Sequence, residues 1–384
     1  MCPFRTVWTP VTAEIAVAPM MDWTDRHCRV VHRRLNPALR LFTEMVTAKA
    51  VIHGDRERLL GFDAEEHPLV LQLGGADPKE LAEASRIAAE WGYDEVNLNV
   101  GCPSDRVQGG SFGACLMREP GLVGECLAAM GDGGIPVSVK CRLGVDDQDT
   151  ETALDAVADA AVAAGVSAIW VHARKAWLQG LSPAQNRDVP PLDYDRVHRL
   201  HARLDTFVGI NGGIVDADGV RAQAAAVDGV MIGRAAYQRP GLLAELAGRG
   251  SFAERFAVAR SMEEYARAWC DAGGRLAPVL KPLLGLFHGE PGARAFRRTL
   301  SEEGHRQEAT PAVLAAALDR LEGEAARTAE RAAQYAAETC AEGVWTAPAH
   351  AAPAHVADAR DAGASAPAAR ETGRGSHTAP LAAE

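Results

Sequence analysis

Residues 68–100, PLVLQLGGADPKELAEASRIAAEWGYDEVNLNV, read as a strand, a helix and a second strand. The outer runs, 68–73 and 95–100, are short and rich in Val and Leu, as strands covered on both faces require. Between them Asp77 is placed to cap a helix, Pro78 takes the first helical position, and Leu81, Ala84, Ala88 and Trp91 recur at helical spacing.

The same unit repeats outward in both directions. Upstream lie EIAVAPM (14–20) and LFTEMV (41–46); downstream lie IPVSVKCRL (135–143), AIWVHA (168–173), FVGIN (207–211) and GVMIG (229–233). Eight strand-then-helix units ending near residue 248 point to an α/β chain closed into a (β/α)8 TIM barrel. A doubly wound open sheet is the runner-up, but no G-x-G-x-x-G follows the first strand.

From about 241 to 322 the strand-like runs stop and an Ala-, Leu- and Arg-rich helical pattern takes over, broken at Gly273-Gly274, Gly289 and Pro291-Gly292. The expected division is a barrel domain over 1–248, a small all-helical domain over 249–322 and a tail over 323–384. The tail begins with a helical extension, Gly323–Cys340. Its remainder, 343–384, is rich in Ala, Pro, Gly, Ser and His and has too little aliphatic surface to offset ordering entropy, so disorder is expected there.

Composition narrows the function. No apolar run approaches the length of a membrane span and the first residues do not read as a signal peptide, so a soluble, cytoplasmic protein with no membrane partner is expected. The eight cysteines form no C-x-x-C pair, which ranks zinc ribbons, dithiol redox chemistry and cysteine-held clusters low; no metal is expected. A net charge of −11 is wrong for a broad nucleic-acid surface, so any RNA contact must come from a local basic patch. A monomer is the working expectation.

Barrel enzymes build their sites at the carboxyl ends of the strands, and here those ends are polar. They carry Pro19-Met20-Met21, Glu44, Gln72, Asn97 and Asn99 with Cys102, Lys140 and Arg142, His172 and Arg174, Asn211-Gly212-Gly213, and Gly233-Arg234. The glycines after the seventh and eighth strands let backbone N–H groups approach a phosphate, with Arg234 adding positive potential. Lys140, at the mouth of an apolar strand, needs an anion or an electron-rich ring, such as the N1–C2=O edge of a reduced flavin. Gln72 offers a donor and an acceptor to the opposite flavin edge, and His172 can reach the ribityl chain or phosphate. Cys102 follows a sharp turn at Gly101, and its ordinary pKa of about 8.5 leaves a thiol that can donate a proton.

Together these residues resemble the tRNA-dihydrouridine synthase family, and within it the branch acting on uridines 20 and 20a of the D-loop. The similarity spans roughly residues 14–320. Its most specific stretches are GCPSDRVQ (101–108) and HARKAWLQGLSP (172–183), supported by VAPMMDWTDRHCR (17–29), INGGI (210–214) and LLGLFHGEPGARAFRRTLSE (283–302). The resemblance implies FMN held by Pro19, Met20, Met21, Gln72, Lys140, His172, Asn211, Gly212, Gly213, Gly233 and Arg234. It also implies NADPH as hydride donor and Cys102 as proton donor to the uracil ring.

For tRNA it implies contacts from Asn99, the position of Ala184 (often lysine in the family), Arg187, Arg298 and Ser301. Arg294, Arg297 and Arg298 lie at helical spacing and form one basic face. Two other readings stay open at this level: a small-molecule flavin reductase of the dihydropyrimidine type, and a non-catalytic RNA-binding barrel.

Overall fold

The structure is a computed structural model and describes residues 13–104 and 112–341. Its strands are all parallel: β1 (Glu14–Val17), β2 (Leu41–Phe42), β3 (Val46–Thr47), β4 (Leu69–Gly74), β5 (Glu95–Val100), β6 (Val137–Arg142), β7 (Ala168–His172), β8 (Phe207–Asn211) and β9 (Gly229–Ile232). They run in the order β1-β9-β8-β7-β6-β5-β4-β2, with β3 also paired to β4. The ring closes where the Val17 N–H donates to the Arg40 carbonyl (3.0 Å) and the Arg40 N–H to that of Ile15 (2.9 Å). This is the expected eight-position barrel.

One expected strand, 41–46, is split into β2 and β3. At the break the Gln72 N–H donates to the Thr43 hydroxyl (3.1 Å), so a side chain replaces a main-chain rung of the ladder.

Helices follow the strands: α1 (Arg26–Leu35), α2 (Ala48–His53), α3 (Arg56–Leu60), α4 (Pro78–Trp91), α5 (Pro120–Gly131), α6 (Thr150–Ala163), α7 (Tyr194–Arg203), α8 (Ala217–Ala224) and α9 (Arg234–Gln238). In α4 the sequence signals act as read. Asp77 accepts from the N–H groups of Lys79 and Glu80, Pro78 opens the helix, and Gly92 closes it at φ 89°. Leu81, Ala84 and Ala88 are buried beneath it.

The barrel interior is filled, not hollow. Trp170 packs edge-on against Phe42 (centroids 6.1 Å apart) and beside Phe207, with Ala16, Val70 and Met231 completing the layer. β8 and β9 make room for the indole by omitting a side chain: a Cβ on Gly209 would lie 2.2 Å from Trp170, and one on Gly229 2.8 Å. This apolar floor confines any ligand to the carboxyl end.

The chain continues through α10 (Gly241–Leu246), α11 (Phe252–Asp271), α12 (Leu276–Leu280), α13 (Ala293–Glu303) and α14 (Ala312–Ala341). Phe252, Phe256, Phe287 and Phe296 pack together, and Ser251 with Glu254 forms a capping box on α11. These helices meet the barrel on α1: His27 Nδ1 is 2.8 Å from the Tyr265 hydroxyl, and the Arg26 guanidinium lies over Trp269. Residues up to Glu330 form one compact unit; the unit from Arg331 is described only as the last turns of α14. Helix α14 thus runs through the boundary expected at 322 and includes the Gly323–Cys340 extension. The segment 343–384 lies outside the described residues. No helix among them is long and apolar enough to cross a membrane.

Candidate active site

A cavity of about 470 Å³ opens at the carboxyl ends of the strands. The side chains reach it because strand residues alternate faces: 97 and 99 on β5, 138, 140 and 142 on β6, and 170 and 172 on β7 share the inner face. Pro19, Met20 and Met21 line one wall, from a turn pinned by Thr24, whose N–H donates to the Met20 carbonyl (3.0 Å). Gln72, Lys140, His172 and Asn211 line it from β4, β6, β7 and the end of β8, Gly212, Gly213 and Gly233 from the loops after β8 and β9, and Arg234 from the start of α9. Cys102, Asn99 and Arg187 line it as well. Ala184, Arg298 and Ser301 do not: Ala184 is exposed in the loop after β7, and the other two are exposed on α13.

The glycines after β8 are required by geometry. Gly212 and Gly213 have φ of 115° and 69°, and a Cβ on Gly213 would lie 2.5 Å from Leu192 and 2.9 Å from the Tyr194 hydroxyl. A Cβ on Gly233 would meet nothing within 4 Å, so the backbone there borders open space.

Cys102 sits on a turn held from below. Its N–H and that of Gly101 donate to Asn99 Oδ1 (3.0 and 3.1 Å), its carbonyl accepts from the Ala114 N–H (2.9 Å), and its sulfur lies 3.4 Å from the Ser104 hydroxyl. The stretch 105–111, which carries part of the GCPSDRVQ motif, lies outside the described residues.

Positive charge is concentrated around this thiol. Burial, and then the neighbouring Arg142, push the Lys140 ammonium down to about 8; its Nζ donates to Asn211 Oδ1 at 3.3 Å. Burial above all lowers Arg142 to about 10. Burial, followed by Arg142 and Lys140, keeps His172 well below the usual imidazole range and therefore neutral at pH 7. Among the described residues none of these three has a carboxylate partner. Among the described residues His172 Nδ1 and Arg174 Nε are buried without a hydrogen-bond partner, as are Trp170 Nε1 in the barrel floor and the Nε atoms of Arg26 and Arg33. Arg234 is differently placed: it makes a two-pronged pair with Asp188 (2.5 and 3.1 Å).

Orphaned buried donors, unpaired cations and glycine backbone bordering open space are what a bound anion with a polar ring would satisfy. The residues present fit a flavin phosphate cofactor. Asn211 Nδ2 donates to the Met231 carbonyl (2.7 Å) and its Oδ1 accepts from Lys140, so its side chain also holds the lysine.

Two contributors, Asn186 and Asp188, have no signal in the sequence, and Arg142, which the sequence shows only as a polar strand end, has a role the sequence does not show. Arg142 donates to the carbonyls of Gly101, Lys175 and Asn186, clamping the cysteine turn to the loop after β7. Asn186, fully buried, ties that loop to itself through Trp177, Leu181 and Ser182. Asp188 faces Arg234. The polar spacing Ser138, Lys140, Arg142 was the one available signal for Arg142; nothing local marks Asn186 or Asp188.

A filled parallel barrel with a cation-lined cavity and a thiol at its carboxyl end defines a cofactor-binding enzyme site. The profile of the dihydrouridine synthase (Dus) family matches residues 16–322, and the chain belongs to that family. A tRNA-dihydrouridine(20/20a) synthase of Xanthomonas campestris pv. campestris is 54% identical over 321 residues, covering 82% of this chain and 96% of that protein. Proteins of the same name from Xylella fastidiosa (strain Temecula1) and Vibrio parahaemolyticus are 51% and 47% identical, over 80% and 81% of this chain and 95% and 97% of theirs. Among solved structures, a morphinone reductase mutant in complex with tetrahydroNAD has a TM-score of 0.47 at 12% identity, over 62% of this chain and 87% of that one.

Proposed function

We propose that this chain reduces the C5–C6 double bond of uridine in tRNA to 5,6-dihydrouridine, at D-loop positions 20 and 20a, with FMN as cofactor and NADPH as reductant. The observation that carries the reading is a thiol sharing a cavity with half-buried Lys140 and buried Arg142, neither of which has a carboxylate partner among the described residues. Family membership and the names of relatives at 46–54% identity support the substrate.

Bound FMN, reduced by NADPH, would supply a hydride to uracil C6. The Cys102 thiol gives the matching proton to C5, so one hydride and one proton complete the two-electron reduction. Backbone N–H groups of Gly212, Gly213 and Gly233, with Arg234, bind the phosphate. Gln72 and Lys140 would hold the cofactor's ring system, with Lys140 stabilising the negative charge that reduction adds. Neutral His172 supplies a hydrogen bond without adding charge, and Pro19, Met20 and Met21 back the cofactor.

A uridine must leave its stack to enter such a cavity, which places tRNA across the mouth. Arg187 and the loop position of Ala184 meet it there beside Asn99, while Arg298 and Ser301 on α13 bind backbone farther out. Arg294, Arg297 and Arg298 are exposed and form no ion pair among the described residues, as a phosphate-binding face requires. We assign catalysis to residues 1–248 and tRNA docking to 249–322 of a cytoplasmic monomer.

The test is the mass of tRNA uridines after incubation with the purified protein, FMN and NADPH. A two-hydrogen gain at positions 20 and 20a is expected; tRNA that binds without any such gain would overturn the reading.

A further inference from the structure

A line of buried side-chain hydrogen bonds crosses the barrel from its amino end to Cys102. At the bottom Glu95, ion-paired with Arg40, accepts from the Ser138 hydroxyl. Ser138 Oγ accepts from Asn97 Nδ2 (2.8 Å), Asn97 Oδ1 from Gln72 Nε2 (2.9 Å), and Gln72 Oε1 from Asn99 Nδ2 (2.9 Å). Asn99 Oδ1 then accepts the N–H groups of Gly101 and Cys102. Ser138 and Asn97 are fully buried and Gln72 is 1% exposed, so water cannot substitute for a lost link.

The direction of this line is set at both ends. A side-chain amide taken alone can turn over and exchange its donor for its acceptor. Burial raises the Glu95 carboxyl above its usual range, but Arg40 in direct contact opposes this and favours the carboxylate, which accepts from Ser138; the backbone N–H groups at 101 and 102 can only donate. Turning over any one of the three amides between them would bring donor against donor or acceptor against acceptor in a dry interior.

We infer that Ser138 and Asn97, which do not touch the thiol, are positioning residues for it: they fix the sense of Gln72 and Asn99, and Asn99 in turn fixes the Gly101–Cys102 turn. This deepens the proposed function and rests on it for its chemical meaning. Its test does not need activity, because the reactivity of Cys102 reports the turn directly.

Ser138→Ala removes the relay between Glu95 and Asn97 with little change of volume, and Ser138→Thr restores the hydroxyl. The measurement is the alkylation rate of Cys102 by iodoacetamide, followed by peptide mass spectrometry on the full chain as purified, alongside kcat and KM for tRNA. Ser138→Ala is expected to alkylate Cys102 several-fold faster. It should lower kcat about tenfold, as small misplacements of reacting groups do, with KM unchanged. Ser138→Thr should return both to wild-type values.

Asn97→Asp, which keeps the acceptor toward Gln72 but loses the donor toward Ser138, should act in the same direction if the alanine variant is poorly folded. Alkylation and kcat unchanged in Ser138→Ala, or a threonine variant that fails to restore them, would overturn the inference. A wild-type protein that forms no dihydrouridine would instead overturn the proposed function, and the alkylation comparison would still decide this one.

Discussion

The two ends of the barrel interior treat buried charge in opposite ways. At the amino end Arg40 lies between Glu14 and Glu95, so the cation's cost of leaving water is offset inside the fold. At the carboxyl end half-buried Lys140 and buried Arg142 and His172 have, among the described residues, only carbonyl and amide partners, or none. The first arrangement is self-sufficient and closes the barrel floor. The second is complete only when an anion arrives, and the difference locates the binding site without reference to any motif.

The comparison can be broken at several points. Cys102→Ala should lower dihydrouridine formation by about 10²–10⁴-fold, the usual contribution of a general acid, while leaving flavin absorbance intact. Single-turnover assays on tRNA check it. Lys140→Met should weaken FMN by about 10–100-fold, the span of a hydrogen bond to a charged group, and yet raise the melting temperature of the flavin-free protein.

The pH dependence of the flavin-free protein follows with a definite sign. The folded value of Lys140, about 8, lies below its ordinary 10.5, so between them the unfolded chain binds more protons and stability rises with pH. The penalty relieved is about 3 kcal/mol at most. Melting curves across that window should show the rise in the wild type and lack it in Lys140→Met.

Reversing Arg297 and Arg298 to Glu should weaken tRNA binding about tenfold or more near 0.1 M salt and flatten the salt dependence, leaving flavin reduction by NADPH unchanged. The smallest effect belongs to Asp188→Asn. Freeing Arg234 from an exposed ion pair should tighten FMN binding by no more than about fivefold, since such pairs contribute under ~1 kcal/mol. A flavin-fluorescence titration resolves it.

Much of this was legible in the sequence, for identifiable reasons. Strands buried on both faces leave short Val- and Ile-rich runs, so β5 (95–100) and β8 (207–211) begin and end where the residues suggest. Asp77, Pro78 and Gly92 announce α4 because capping is local chemistry. Every residue expected at the cofactor does line the cavity, because barrel geometry sends strand ends to one place.

What stayed hidden depends on contacts distant in sequence. The break in 41–46 arises because Thr43 bonds to Gln72, twenty-nine positions on. Arg142 reaches carbonyls thirty-three and forty-four residues away, and Ser138 matters through a line of hydrogen bonds that no spacing rule describes. The helical extension over Gly323–Cys340 is legible, by contrast, and is the second half of α14: Ala, Glu and Arg keep it helical, and one glycine, Gly323, costs too little to stop it.

The most direct test of the contrast between the two ends is the affinity of the flavin-free protein for FMN beside riboflavin, measured by quenching of flavin fluorescence at pH 7. If the carboxyl end is built to await an anion, FMN binds at least about tenfold more tightly, the effect of one charge-assisted hydrogen bond. Equal affinities would mean that its unpaired cations and glycine turns serve no phosphate, and the account would be wrong.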